Sequence, residues 1–246
     1  MMAVQQINPH ISVDCVIFGF DRSKLKVLLI ERDRANGNGE LMTDLKLPGN
    51  FITDQEDLDQ AAVRILEELT GLKELFLQQF GVFGSPERIS DAVDINWLRE
   101  TTGMEIRRVV TTAYYSLIRI DKSKRELVTQ NRARWEDVSS IGDLAFDHNE
   151  IIRYGLQAIR KEIRFMPVVL ELLPARFTIR QLQALYEKIL GSGLDNRNFR
   201  KKVLKSEYLK QLNIKQKGVA HKPAYYYKIN REKWKKMQTD LNEFAF

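Results

Sequence analysis

The sequence predicts a two-domain α+β chain: a larger domain built on a mixed sheet, then a smaller basic domain of helices and a hairpin. Three observations carry this. The 246 residues exceed one typical domain, and 43% apolar with 29% charged content suits globular units with proper cores. The amino-terminal two thirds alternate strand-like and helix-like apolar patterns. Residues 166–246 hold 17 Lys+Arg against 7 Asp+Glu, whereas the preceding 165 hold 22 against 26. A segment so basic attracts phosphates, most simply those of a nucleic acid, although a solvated basic surface has the same composition. The domains are drawn as 1–165 and 166–246, with Phe165-Met166-Pro167 as the junction, because proline suits the first turn of a new helix. The lone Cys15 excludes an intrachain disulfide and a Cys-rich zinc site. No apolar run reaches the ~18–20 residues that cross a bilayer. The start, MMAVQQINPHISVD, has no basic flank before an apolar core, so no signal peptide is expected and the cytoplasm is the expected location.

Residues 11–30 read as paired strands. Ile11, Val13 and Cys15 alternate with Ser12 and Asp14, the strand runs on to Phe18, and after a turn at Asp21–Lys24 the return strand spans Leu25 to Ile30. Leu45 to Ile52 follow, with Pro48-Gly49 marking a tight turn. An amphipathic helix comes next. Asp57 is its N-cap, Gln60 completes a capping box, and Leu58, Ala61, Ala62, Ile65, Leu66 and Leu69 form the apolar stripe. Gly71 supplies the left-handed stop. Leu77–Phe83 and Val109–Ile120 read as strands, the second rich in β-branched and aromatic residues. The excursion between them, Ser85–Arg108, is expected to be a partly helical loop beside a pocket. A further strand runs from Arg132 to Val138, and a helix from Asn149 to about Arg164 follows the segment Leu144–His148.

The stretch LPGNFITDQEDLDQAAVRILEELTGL resembles the Nudix signature. That box runs glycine, five residues, glutamate, seven residues, then Arg-Glu-hydrophobic-x-Glu-Glu-x-Gly-hydrophobic. Glu56, Arg64, Leu66, Glu68, Gly71 and Leu72 keep the pattern. Asn50 stands at the first glycine, Ile65 at the glutamate after the arginine, and Leu69 at the second of the paired glutamates. The resemblance implies a Nudix-like α/β/α sandwich with a mixed sheet. In that family, carboxylates on one helix face hold Mg²⁺ or Mn²⁺, which activates water against a pyrophosphate. Positions 65 and 69 lie one helical turn apart, and both are apolar here. Glu68, four residues after Arg64, is as well placed to pair with it as to bind metal. Hydrolysis is therefore not expected, and no catalytic residue, metal site or cofactor is assigned. A metal-dependent pyrophosphohydrolase is the alternative of another class.

In the basic region, residues 167–173 form a first helix. Thr178 caps a second, with Ile179, Leu182, Leu185, Tyr186, Ile189 and Leu190 buried, which ends at Gly191-Ser192-Gly193. Asp195 caps a third, running to Lys205. Phe199, Val203 and Leu204 are its inner face; Arg197, Lys201 and Lys205 line the outer face, flanked by Asn198 and Arg200. Strands Leu212–Lys215 and Ala224–Ile229 are joined by a loop carrying Lys217, His221 and Lys222. This order predicts a winged helix-turn-helix, whose basic helix enters the major groove of double-stranded DNA. Arg and Asn have bidentate matches to guanine and adenine, and the hairpin loop adds phosphate or minor-groove contacts. Winged helices also serve as protein-contact domains.

The combination resembles the Nudix-related transcriptional regulators, most of all in FTIRQLQALYEKILGSGLDNRNFRKKVL. The resemblance implies a homodimer that binds palindromic operator DNA as a repressor and is released by a small effector, with no membrane partner. Many members sense ADP-ribose; a sugar-responsive branch senses arabinose. The missing glycine, the missing metal face and a segment after Phe80–Gly84 unlike the short Asp-Pro-rich turn of ADP-ribose sensors favour L-arabinose, with ADP-ribose as the alternative. Lys46, Asn50, Asp147 and His148 are the candidate effector contacts.

Overall fold

The longest strand, β1 (Ile7–Asp21), organises the amino-terminal unit. It pairs antiparallel with β2 (Lys24–Ala35), and β2 in turn pairs with β3 (Leu41–Lys46). The chain then crosses over at Leu47-Pro48, and β4 (Gly49–Thr53) pairs with β1 rather than with β3. Pro48-Gly49 thus switches strand partners instead of closing a hairpin. Helix α1 (Leu58–Thr70) follows, with the Asp57/Gln60 capping box formed in both directions and Gly71 at φ 73° ending it. Strand β5 (Gln78–Phe83), a 3₁₀ turn at Pro86–Ile89 and helix α2 (Ala92–Thr102) lead to β6 (Val110–Arg119). β6 runs parallel to β1 from Ile11/Val110 to Phe20/Arg119, which makes the sheet mixed. Helix α3 (Lys122–Gln130), β7 (Ala133–Asp137) and helix α4 (His148–Glu162) complete the unit. The sheet is seven-stranded, with the path β3-β2-β1-β6-β5 and with β4 and β7 added on β1 and β2.

The structure, a computed structural model, describes residues 6–21, 24–35, 40–163, 172–205, 208–220 and 222–233. The chain divides into two compact units, Met1–Lys161 and Glu162–Phe246. The predicted junction at Phe165–Pro167 and most of the helix predicted over 167–173 lie outside the described residues.

The two faces of β1 explain the layers. Val13, Cys15 and Ile17 pack with Ala61, Ala62, Ile65 and Leu66 of α1 and Val128 of α3 in one apolar core. On the opposite face Phe18 meets α4, where a side chain at Gly155 would lie 3.4 Å from the Phe18 and Phe80 rings. The sheet is therefore covered on both sides, as expected of an α/β/α sandwich. Ser12 and Asp14, on the face of Phe18 but nearer the start of the strand, are also buried. The Ser12/Asp14 alternation therefore does not mark a solvated face. Helix α3 has no counterpart in the sequence reading.

The second unit consists of α5 (Ile179–Leu190), α6 (Asn196–Lys205) and the hairpin β8 (Leu209–Lys215)–β9 (Tyr225–Ile229). Thr178 caps α5 with a full capping box, and Gly191 at φ 72° stops it. Phe177 exchanges both backbone hydrogen bonds with Tyr227, so the residue before the Thr178 cap adds a third strand position beside β9. Among the described residues, Leu172, Leu173, Phe177, Ile179, Leu182, Leu185, Ile189, Val203 and Tyr227 are buried in this unit, with Ile163 and Thr178. Of the inner face predicted for α6, Val203 is buried and Phe199 packs edge-on against Tyr186 at 5.5 Å, but Leu204 is 44% exposed. At 100° per residue Leu204 is carried round from Val203, and the short helix buries only one narrow stripe.

Candidate functional site

A cavity of about 570 Å³ opens in the first unit, lined by β1, β2, the 46–51 segment, the 3₁₀ turn, α2 and the residues just before α4. Lys46, Asn50 and His148 all line it. Asp147 does not; it reaches the cavity through Arg88, whose Nε and Nη2 donate to Asp147 at 3.1 and 2.9 Å. Four lining residues missed by the sequence reading contribute most of the chemistry: Asp14, Arg32, Arg88 and Trp97.

Each polar group is held by a specific partner. Lys46 Nζ donates to the carbonyl of Gly49 at 2.7 Å, and burial pushes its pKa down to about 8. Leu47 N–H donates to His148 Nδ1 at 2.9 Å, so in the neutral ring the proton sits on Nε2. Burial pushes the His148 pKa down to about 4, which keeps the imidazole neutral near pH 7. Its Nε2 lies 3.6 Å from Asp14, beyond a good hydrogen bond. Burial opposes the charge of Asp14, but His148, Arg88 and Lys46, in that order, with a hydrogen bond from Thr111, outweigh it and hold that carboxyl below its ordinary pKa. Arg32 grips Asp44 with two hydrogen bonds of 2.7 and 2.6 Å and gives Asp94 a third of 2.6 Å. Its guanidinium lies 5.2 Å from both the Trp97 and Phe146 ring centroids, which fixes the aromatic wall. Phe146 adopts φ 54°, and its amide donates to Asp94 at 2.9 Å. A non-glycine residue there is strained and needs such an anchor. Gly49 has no room for a side chain, since a Cβ would lie 1.9 Å from Asp14 Oδ1.

The helix face that carries metal ligands in the Nudix signature is different here. Ile65 is buried in the apolar core, and Leu69 lines the cavity. Glu56 is bound by Arg64 through Nε at 2.7 Å, and Arg64 also donates to Glu68 at 3.0 Å. No group of three or more His, Cys, Asp or Glu that could hold a metal ion occurs among the described residues.

The second unit carries the predicted nucleic-acid surface. Arg197, Asn198, Arg200, Lys201 and Lys205 are all exposed on α6, and Lys217 and Lys222 are exposed in the hairpin loop. His221 lies outside the described residues. Asp195 accepts the Asn198 amide at 2.7 Å, which caps α6. The turn between the helices is clamped by Glu187, whose carboxylate accepts from Leu194 N–H and from the Gln183 side chain, both at 2.9 Å. Those bonds, the Leu194 amide first, hold the Glu187 pKa below its ordinary value.

The NUDIX domain family model matches residues 8–154, more than half of the chain. The chain belongs to the Nudix family. Residues 169–229 of this Nudix protein match the NrtR DNA-binding winged helix domain. A curated relative, the ADPR responsive transcriptional repressor NtrR of Acinetobacter baylyi, is 27% identical over 226 residues, 90% of this chain and 82% of its own. An ADP-ribose pyrophosphatase of Methanocaldococcus jannaschii is 28% identical over 149 residues, 60% of this chain and 73% of its own. Among solved structures, Shewanella oneidensis NrtR complexed with a 27mer DNA has a TM-score of 0.69 at 23% identity, covering 92% of this chain and 95% of that one. Nudix domain followed by winged helix is thus the architecture of both chains. The two curated relatives are an ADPR-responsive repressor and an ADP-ribose pyrophosphatase, and neither supports the expected arabinose-responsive branch. No described helix is long and apolar enough to cross a membrane.

Proposed function

We propose that this Nudix protein is a transcriptional repressor that binds operator DNA through residues 166–246 and binds, without hydrolysing, a small effector through residues 1–165. The observation that carries this is the pairing of an exposed basic α6, free of acidic residues, with a Nudix domain in which Ile65 and Leu69 stand where the signature has glutamates. The relation to the Acinetobacter repressor favours ADP-ribose as the effector. The reading includes a cytoplasmic homodimer on a palindromic operator, because two recognition helices related by a dyad need two half-sites. A second reading, L-arabinose, is favoured by one feature of the cavity: Leu69 offers an apolar contact where a metal-bound pyrophosphate would need a carboxylate.

The test is a variant series on DNA. Arg197→Ala is expected to cost about 1–3 kcal/mol of specific binding and to relax base preference. Lys217→Ala is expected to weaken binding to all sequences and to lower the salt slope by about 1. If Arg197→Ala leaves specific binding unchanged, α6 is not the reading helix. Release of product from ADP-ribose with Mg²⁺ or Mn²⁺, abolished by Glu68→Gln, would restore the hydrolase.

A further inference from the structure

We propose that residues 85–108 form a lid over the cavity, latched by two buried charges, Arg88 and Asp94, that both grip the residues leading into α4. The lid is a device of the first unit's fold and does not depend on which effector the cavity takes.

The segment walls the cavity with little apolar attachment. Arg88, Ile89, Trp97, Leu98, Thr101 and Thr102 all line the cavity. Yet α2 buries only Asp94 and Leu98, whereas α1 buries Ala61, Ala62, Ile65 and Leu66, and α4 buries Ile151, Ile152 and Ile159. A short helix in a protein is held mainly by its packed apolar face. With one buried leucine, α2 depends on the carboxylate beside it. The segment lies between β5 and β6 and takes no part in the sheet. Its two ends meet where Arg108 Nη2 donates to the Gly84 carbonyl at 3.1 Å, so it forms a closed loop that opens without disturbing the strands.

The latch is built from groups outside the lid. Asp94 accepts from Arg32 Nη1 at 2.6 Å with one oxygen and from the Phe146 amide at 2.9 Å with the other. Arg88 donates to Asp147 at 3.1 and 2.9 Å. Both buried charges of the lid are therefore bonded to residues 146 and 147, just before α4 begins at His148. Release is reversible at the Asp94 end. Arg32 keeps its two bonds to Asp44, and a freed Asp94 is hydrated, so opening leaves no uncompensated buried charge. Phe146 makes the lid and the approach to α4 one element. Its φ of 54° is strained for a non-glycine residue, and the lid holds it there by the Asp94 bond and by the edge-on Trp97 ring at 6.1 Å. Opening removes both restraints, and Phe146 relaxes. Closed and open lid are thus two discrete arrangements, each with its own geometry ahead of α4.

The test is hydrogen–deuterium exchange of the full chain without ligand, followed by mass spectrometry on peptides from α1, α2, residues 143–149 and α5. In the wild type, α2 and residues 143–149 are expected to exchange together, at least about tenfold faster than α1, with a urea dependence smaller than that of global unfolding. Asp94→Asn keeps an acceptor for the Phe146 amide but loses the charge that holds Arg32. It is expected to speed exchange about tenfold in both α2 and 143–149 and to leave α1 and α5 unchanged. Exchange of wild-type α2 as slow as that of α1 overturns the lid. Acceleration of α2 without 143–149 overturns the link to α4, and equal acceleration in α1 means that Asp94 supports the whole domain rather than a latch. If circular dichroism shows that the variant does not fold, the wild-type pattern and its urea dependence decide alone. None of these outcomes bears on operator binding, which is tested separately.

Discussion

Gly49 lies directly against Asp14 in the cavity, with no room between them for a side chain. A methyl at position 49 would overlap the Asp14 carboxylate, so Gly49→Ala must displace either β4 or that carboxylate. We expect it to destabilise the Nudix domain by about 1–3 kcal/mol, measured by urea unfolding, and to weaken effector binding. His148 gives a pH signature of the same site. Its pKa is about 4 in the folded protein against an ordinary 6.5, so between those values the unfolded chain binds the proton and the folded chain does not. Stability should therefore fall as pH drops from 6.5 towards 4, by at most about 1.4 kcal/mol per pH unit from this group. Asp14, Lys46, Asp147 and Arg88 face the ring and set its environment. His148→Gln should flatten that part of the profile; an unchanged slope would assign it to other groups. At this scale the sequence was half legible. Lys46, Asn50 and His148 stand in the cavity because they flank segments the Nudix signature locates. Asp14, Arg32, Arg88 and Trp97 escaped because their burial is tertiary: the 84–109 excursion folds over a strand face that alternation alone assigns to solvent.

Helix boundaries were the most legible elements. The capping boxes at Asp57/Gln60 and Thr178/Gln181 and the glycine stops at Gly71 and Gly191 depend only on residues within a turn of one another. Helix α3 was missed because KSKRELVTQ buries only Val128 fully and so shows little apolar periodicity. The crossover at Pro48 was missed because a turn residue cannot say which strand comes next. The α5–α6 turn supports a prediction of its own. Glu187 bridges Gln183 on α5 and the Leu194 amide that precedes α6, so it fixes the angle of the reading helix. We expect Glu187→Ala to lower specific operator affinity about tenfold while non-specific, salt-dependent binding persists, since no phosphate contact is removed. Equal loss on both kinds of DNA would mean that the unit had unfolded, which circular dichroism would report.

For the whole molecule, the question is how a cavity in the first unit speaks to DNA bound by the second. The chain itself supplies the connection: α4 starts with His148 in the cavity and continues in sequence towards the winged helix. Its first residue is tied to the cavity by Leu47 N–H on His148, and the segment just before it by Asp94 on the Phe146 amide. An effector that alters Asp14, Arg88 or His148 therefore acts on the start of that helix. It shifts operator binding only by its differential affinity for two states of the protein, and coupling of about 1–3 kcal/mol changes affinity about 5–150-fold.

The most direct measurement is fluorescence anisotropy of the purified protein on labelled DNA from its own gene neighbourhood, titrated with ADP-ribose and, separately, with L-arabinose. We expect sequence-specific binding at moderate salt that ADP-ribose weakens about fivefold or more. Release by L-arabinose alone would transfer the effector to the pentose reading. Absence of any preference over unrelated DNA of equal length would contradict the regulator itself.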